Sequence, residues 1–328
     1  MAAELIDAAR KQQEKVQGKK MRCKKSHGEA RMAYVSQVVD LEFVQDFIRM
    51  CDGGWQQGWH ERNGGNASYR LAEEDIAAVK ACLGVGGHAI GFAASDESSG
   101  LEAVAGEWIA LEVCEPFLAH EWLLITATGS YMQNVVRLPE QCLGLIELNE
   151  QGDAYRVVWG FEGGGRPTSE VSSHVMIHSV KSRATEGASR VLYHCHPTVV
   201  NALCLALPHD AREWTRTLWK TMTECMVVFP EGIGMVSCHV PGSLDLARET
   251  AVAMEGHNAA IWAHHGLCVT GGTCDEAFGL AHVVVKAAQI YESACTMCAG
   301  PSFKQQISDE DLLRIAQTFG LTPNPKYL

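Results

Sequence analysis

"RVLYHCHPTVVNALCLAL", residues 190 to 207, is the stretch on which the fold turns. Its opening "RVLYHCH" is a short, mostly apolar run suited to a strand, and "PTVVNALCLAL" has the pattern of a helix. A strand that hands over to a helix is the unit of an α/β chain. Side chains along a strand alternate faces, so His194 and His196 point the same way, within reach of one ion. The spacing permits chelation and suits two structural histidines equally well.

The alternation continues downstream. A helix opens at "TSEVSSHVMIHSV", and strands are expected at "MVVF" and "AAIWAHHG". Helices are expected near "LARETAVAMEG", over "DEAFGLAHVVVKAAQIYESAC" and around "DEDLLRIAQTFG". Upstream, "VSQVVDLEFVQDFIRMCDGGWQQGW" carries Val39, Phe43, Phe47 and Met50 at helical intervals until Gly53 and Gly54 interrupt it. "HERNGGNASYRL" reads as a glycine-bearing turn into a strand. "EWLLIT", "CLGLIEL" and "AYRVVWG" are short apolar runs between turn residues, which favours strands. The expected fold is α/β, a single domain over 36–328 with a central mixed or antiparallel sheet covered by helices on both faces. A basic leader (1–35), helical or disordered, precedes it, and a Gly-, Ser- and Ala-rich surface insertion spans 84–106.

With 328 residues and 47% hydrophobic content, the chain can bury a large core. The formal charge of −12 argues against nucleic acid as the main partner, although residues 1–32 hold nine Lys/Arg against four Asp/Glu. The thirteen cysteines lack the spacing of a secreted disulfide scaffold and read as reduced thiols in a cytoplasmic protein. No secretory h-region or 18-residue apolar run is found, so no membrane partner is expected.

A third ligand for the histidine pair is available in "WAHHGL", where His264 and His265 end a second apolar run before Gly266. Three histidines leave a fourth position on Zn²⁺ open, the mark of a catalytic site. The rival cysteine site has little support: Cys195 points away from the pair, and "CTMC" at 295–298 has no partner. "GGGRPTSE" brings Ser169 and Glu170 to a helix start, where an anion could bind. Glu170 there is either an acid/base group or a residue that complements the helix dipole. His174 and His178 follow Glu170 at four-residue steps and form a rival Glu/His/His set, or else pack. "RNGGN", with Asn63 and Asn66, and "TATGS", with Thr128 and Gly129, are phosphate cradles or plain tight turns. No Walker A loop or dinucleotide fingerprint is present.

"GWHERNGGN", "RPTSE", "HCHPT", "TECMVVFPEGIG", "HHG" and "DEAFGL" stand in the order and spacing of the class II aldolase family. The chain resembles that family over roughly 40–320, and most nearly the branch whose substrate is L-rhamnulose 1-phosphate. The resemblance implies one zinc ion per subunit on His194, His196 and His265, and Glu170 as acid/base carboxylate. It implies that Asn63, Asn66, Thr128, Gly129 and Ser169 hold the substrate's phosphate end. Glu224 would reach the site of a neighbouring subunit in a homotetramer, and His264 has no implied role. The implied reaction is retro-aldol cleavage to dihydroxyacetone phosphate and L-lactaldehyde. Other family activities, such as fuculose-phosphate aldolase or pentulose-phosphate 4-epimerase, are the alternatives, with a non-catalytic interaction module as a further one. One departure stands out: the branch reads Thr-Gly-Ser-Gly-Lys where this chain has Thr126, Ala127, Thr128, Gly129 and Ser130, so a lysine charge is lost beside the implied phosphate.

Overall fold

The computed structural model describes residues 37–84 and 105–328. The basic leader and nearly all of the 84–106 insertion lie outside the described residues. Nine strands form one sheet: β1 (Asn66–Arg70), β2 (Ile109–Ala110), β3 (Trp122–Thr126), β4 (Leu143–Leu148), β5 (Ala154–Gly160), β6 (Val191–Cys195), β7 (Gly234–Val236), β8 (Ala259–Trp262) and β9 (Gly266–Gly271). Their order is β2-β5-β4-β3-β1-β6-β9-β8-β7. Every pairing is antiparallel except β7 with β8. The sheet is therefore mixed and mostly antiparallel, as the short turn-bounded runs upstream imply.

Helices cover both faces. The α-helices are α1 (Glu42–Gln56), α2 (Glu73–Gly84), α3 (Pro139–Cys142), α4 (Val171–Ala184), α5 (Thr198–Ala206), α6 (Ala211–Trp219), α7 (Thr223–Val228), α8 (Leu244–Glu255), α9 (Cys274–Cys298) and α10 (Asp309–Phe319). Strand β6 shows how the layers divide. Val191, Tyr193 and Cys195 join the large core beneath α1 and α9. Leu192 turns the other way, toward Ile177 of α4 and Leu246 and Met254 of α8. His194 shares the Leu192 face by the strand's alternation, so it is directed toward α4. Side-chain caps fix several helix starts: Thr273 accepts from Glu276 N–H at α9, and Ser308 and Asp311 form a capping box at α10.

Two local expectations are corrected. "MVVF" is not a strand; Met226–Val228 belong to helix α7, and the strand comes later, at β7. A short buried apolar run has no periodicity that separates the two states, and here Cys225 and Met226 are buried by a helical turn. Gly53 and Gly54 do not interrupt α1, which runs through both. They are sites of close approach: a Cβ on Gly53 would stand 2.8 Å from Phe278, and one on Gly54 would stand 1.8 Å from the Tyr193 hydroxyl.

Candidate active site

Three segments converge at the end of β6. The strand delivers His194, the chain just beyond it delivers His196, and the turn between β8 and β9 delivers His265. That turn is tight, with His265 N–H donating to Trp262 O at 2.9 Å. Gly266 makes the approach possible, since a Cβ there would lie 2.3 Å from Cys195 O and 2.9 Å from the His196 ring. The same turn separates the two adjacent histidines. His264 adopts the left-handed conformation (φ 59°) and sets its ring edge-on to His209, at 4.8 Å between centroids. His265 packs against His194 and His196 instead.

The hydrogen bonds of the outer nitrogens leave the inner ones free to ligate. His194 Nδ1–H donates to Leu267 O at 3.0 Å, and His196 Nδ1–H donates to Glu61 Oε1 at 2.7 Å. Each imidazole thereby presents a bare Nε2. The Nε2 of His194 stands 3.0 Å from that of His196 and 3.4 Å from that of His265. Nitrogens on a tetrahedral zinc lie about 3.3 Å apart, from bonds of about 2.0–2.1 Å. The three histidines are thus able to hold one metal ion, and among the described residues they are the group close enough to do so. Burial pushes His265 down to about 4, helped by the neighbouring His196, and drives His194 well below its ordinary range, so both are neutral donors.

Glu170 faces this triad. It occupies the N-cap position of α4, but its side chain makes no capping bond. Its carboxylate oxygens instead lie 3.9 Å from His194 Nε2 and 3.8 Å from His265 Nε2. Asn66 Nδ2 donates to Oε2 at 2.8 Å. Burial raises the Glu170 carboxyl above its ordinary range, against the opposing pull of the Asn66 amide, the nearby His196 ring and the Gly242 backbone.

All of this lines one cleft of about 690 Å³. Asn63, Asn66, Thr128, Gly129, Ser169 and Glu170 are brought to its wall with the three histidines, and His264 stands there too. No lysine or arginine is among the described lining residues. The Ser130 hydroxyl turns back onto Ala127 O at 2.8 Å. Glu224 is not brought there. It lines a second hollow with Ser189, Asn258 and Gly271, at the opposite end of β6 and β9. His174 and His178 are buried and hydrogen-bonded to Ser68, outside the triad, so the Glu170/His174/His178 metal set does not form.

Sequence reasoning missed Glu61 and Asn201. Glu61 sits in "HERNGGN", and its proximity to a glycine turn was the available signal. Asn201, which donates to His265 O at 3.0 Å, carries no signal beyond its helix. The turn itself is held from behind: His60 Nδ1–H donates to Gly64 O, and His60 Nε2 accepts from the Tyr193 hydroxyl. Gly65, at φ 75°, lies so close that a Cβ would be 2.3 Å from His60 and 2.8 Å from His194 O.

Residues 109–292 match the family described as class II aldolase and adducin N-terminal domain. The chain is 37% identical, over 281 residues, to a rhamnulose-1-phosphate aldolase from Pectobacterium carotovorum subsp. carotovorum (strain PC1), covering 86% of this chain and 94% of that relative. A solved sugar-phosphate aldolase from Thermotoga maritima superposes with a TM-score of 0.60 at 25% identity, covering 86% of this chain and 98% of that one. An L-fuculose 1-phosphate aldolase shares the fold, with a TM-score of 0.51 at 18% identity, covering 89% and 100%.

Proposed function

The chain belongs to the class II aldolase and adducin N-terminal domain family, and from that membership we propose that it cleaves L-rhamnulose 1-phosphate to dihydroxyacetone phosphate and L-lactaldehyde. In this reading His194, His196 and His265 hold one zinc ion per subunit. The observation that carries it is the convergence of three histidine Nε2 atoms opposite a buried carboxyl, on the wall of one cleft. A bound divalent ion supplies Lewis-acid charge beside the substrate's carbonyl oxygen.

The chain's own groups account for the remaining chemistry. When the C3–C4 bond breaks, its electron pair stays on C3, and that carbon takes up a proton. Glu170, whose burial favours the protonated carboxyl, holds that proton within the cleft. Asn63, Thr128, Ser169 and the Gly129 backbone offer neutral donors to the phosphate. With no cationic side chain among them, phosphate is held by hydrogen bonds. The C4 hydroxyl loses a proton in the same step. We assign Glu224 to that part of a neighbouring subunit's site, within a homotetramer, because its place in its own subunit is remote from the histidines. The twelve cysteines among the described residues are all free, which suits a reducing cytoplasm.

A coupled assay for dihydroxyacetone phosphate tests the reading, with L-rhamnulose 1-phosphate and L-fuculose 1-phosphate as parallel substrates. Preferential release from the rhamnulose ester supports it. Preference for the fuculose ester, or epimerisation of a pentulose phosphate without cleavage, moves the chain to another branch. No turnover of any sugar phosphate by metal-loaded protein favours a non-catalytic interaction module.

A further inference from the structure

Five buried polar side chains form one file that ends on the Glu170 carboxyl. His178 Nε2 lies 2.7 Å from Ser68 Oγ, and Ser68 Oγ lies 2.6 Å from His174 Nδ1. His174 Nε2 lies 2.6 Å from Asn66 Oδ1, and Asn66 Nδ2 donates to Glu170 Oε2 at 2.8 Å. Donor counting fixes the direction. Asn66 Oδ1 only accepts, so His174 carries its proton on Nε2. His174 Nδ1 is then bare and accepts the Ser68 hydroxyl proton. Ser68 Oγ in turn accepts from His178, whose proton must also be on Nε2. Each donor along the file points toward Glu170.

We propose that Ser68, His174 and His178 are positioning residues for catalysis, acting through Asn66 to hold the Glu170 carboxyl in its reactive orientation. This rests on the aldolase reading of the cleft. An asparagine amide alone is free to turn about its terminal torsion. With Oδ1 engaged by His174, its N–H stays on Glu170 Oε2, and the carboxyl cannot rotate out of line with the reacting carbon. The histidines come from adjacent turns of α4 and the serine from β1, so helix and sheet are registered by the same bonds. Complete burial keeps both imidazoles neutral, with His174 pushed down to about 3 and His178 well below its ordinary range. The Asn66 amide, which the resemblance gives to the phosphate, is committed here on two sides to orienting the carboxyl.

The test compares His174→Leu with His174→Gln, whose side-chain amide can still donate to Asn66 Oδ1. Both are assayed with a ketose 1-phosphate that the wild type turns over. His174→Leu is expected to lose about 10- to 100-fold in kcat, with KM and metal content unchanged. His174→Gln is expected to recover most of the loss, and Ser68→Ala to fall between them. A His174→Gln variant no better than His174→Leu, or a rise in KM at constant kcat, overturns the proposal. If the leucine variant does not fold, nitrogen NMR of the full wild-type chain decides: both His174 and His178 should be neutral Nε2–H tautomers, and an Nδ1–H tautomer at His174 refutes the relay. A wild type that ignores L-rhamnulose 1-phosphate but cleaves another ester defeats the substrate assignment alone, and the relay is then judged with that ester.

Discussion

Replacing Gly54 by alanine sets helix propensity against packing. At an open position inside a helix the change gains about 1 kcal/mol. At Gly54 the new Cβ would lie 1.8 Å from the Tyr193 hydroxyl and 2.6 Å from His60 Nε2, atoms bonded to each other at 2.7 Å. Moving either ring is overpacking, at about 1–3 kcal/mol. Breaking their bond leaves a buried hydroxyl unpaired, at about 1–3 kcal/mol more. Against the propensity gain, the net is a loss of about 3 kcal/mol. The damage reaches the cleft as well, because His60 also holds Gly64, between Glu61 and Asn66. Gly279 on α9 provides the contrast, since nothing lies within 4 Å of its added Cβ; there alanine should gain up to about 1 kcal/mol. Thermal melts at one protein concentration should rank Gly279→Ala above wild type and Gly54→Ala well below it. A Gly54→Ala protein that melts at or above the wild type would refute the close-approach argument.

Three further outcomes are expected. Glu170→Gln should keep its metal and lose about 10²- to 10⁴-fold in kcat; undiminished turnover removes Glu170 from the mechanism. Glu61→Ala should weaken metal binding about tenfold through the lost bond to His196 Nδ1–H, measured by competition with a chelator, and unchanged affinity would show the bond to be incidental. His174 and His178 should make the fold acid-sensitive. Their folded pKa values lie below the ordinary 6.5, so the unfolded chain binds more protons between the two values. Their contribution is present above pH 6.5 and declines as pH falls toward about 3, the value for His174, by up to about 1.4 kcal/mol per pH unit for each histidine. Urea midpoints at pH 7 and pH 5 check this, and equal midpoints would mean that the histidines are charged in the fold.

Strands and long helices were legible because their periods and boundaries are local properties. Trp122–Thr126, Leu143–Leu148 and Ala154–Gly160 fall on the runs read from sequence. Local pattern fails where tertiary packing decides, as at "MVVF" and at the two glycines of α1. The site divides the same way. Alternation placed His194 and His196 together, but the residues alone left His264 and His265 equivalent; the left-handed turn at His264 separates them. The four-residue step from His174 to His178 was visible, whereas Ser68 between them depends on how β1 lies against α4, a register no local pattern encodes. Glu224 is remote from the cleft of its own subunit, at the opposite end of β6 and β9 from the histidines.

The most direct test of the three-histidine centre is metal content by elemental analysis of wild type, His265→Ala and His264→Ala, combined with release of dihydroxyacetone phosphate before and after chelation. The geometry predicts about one zinc per chain in wild type and His264→Ala, none retained by His265→Ala, and turnover that chelation abolishes and zinc restores. A full equivalent of metal in His265→Ala, or full turnover by metal-free wild type, would contradict it.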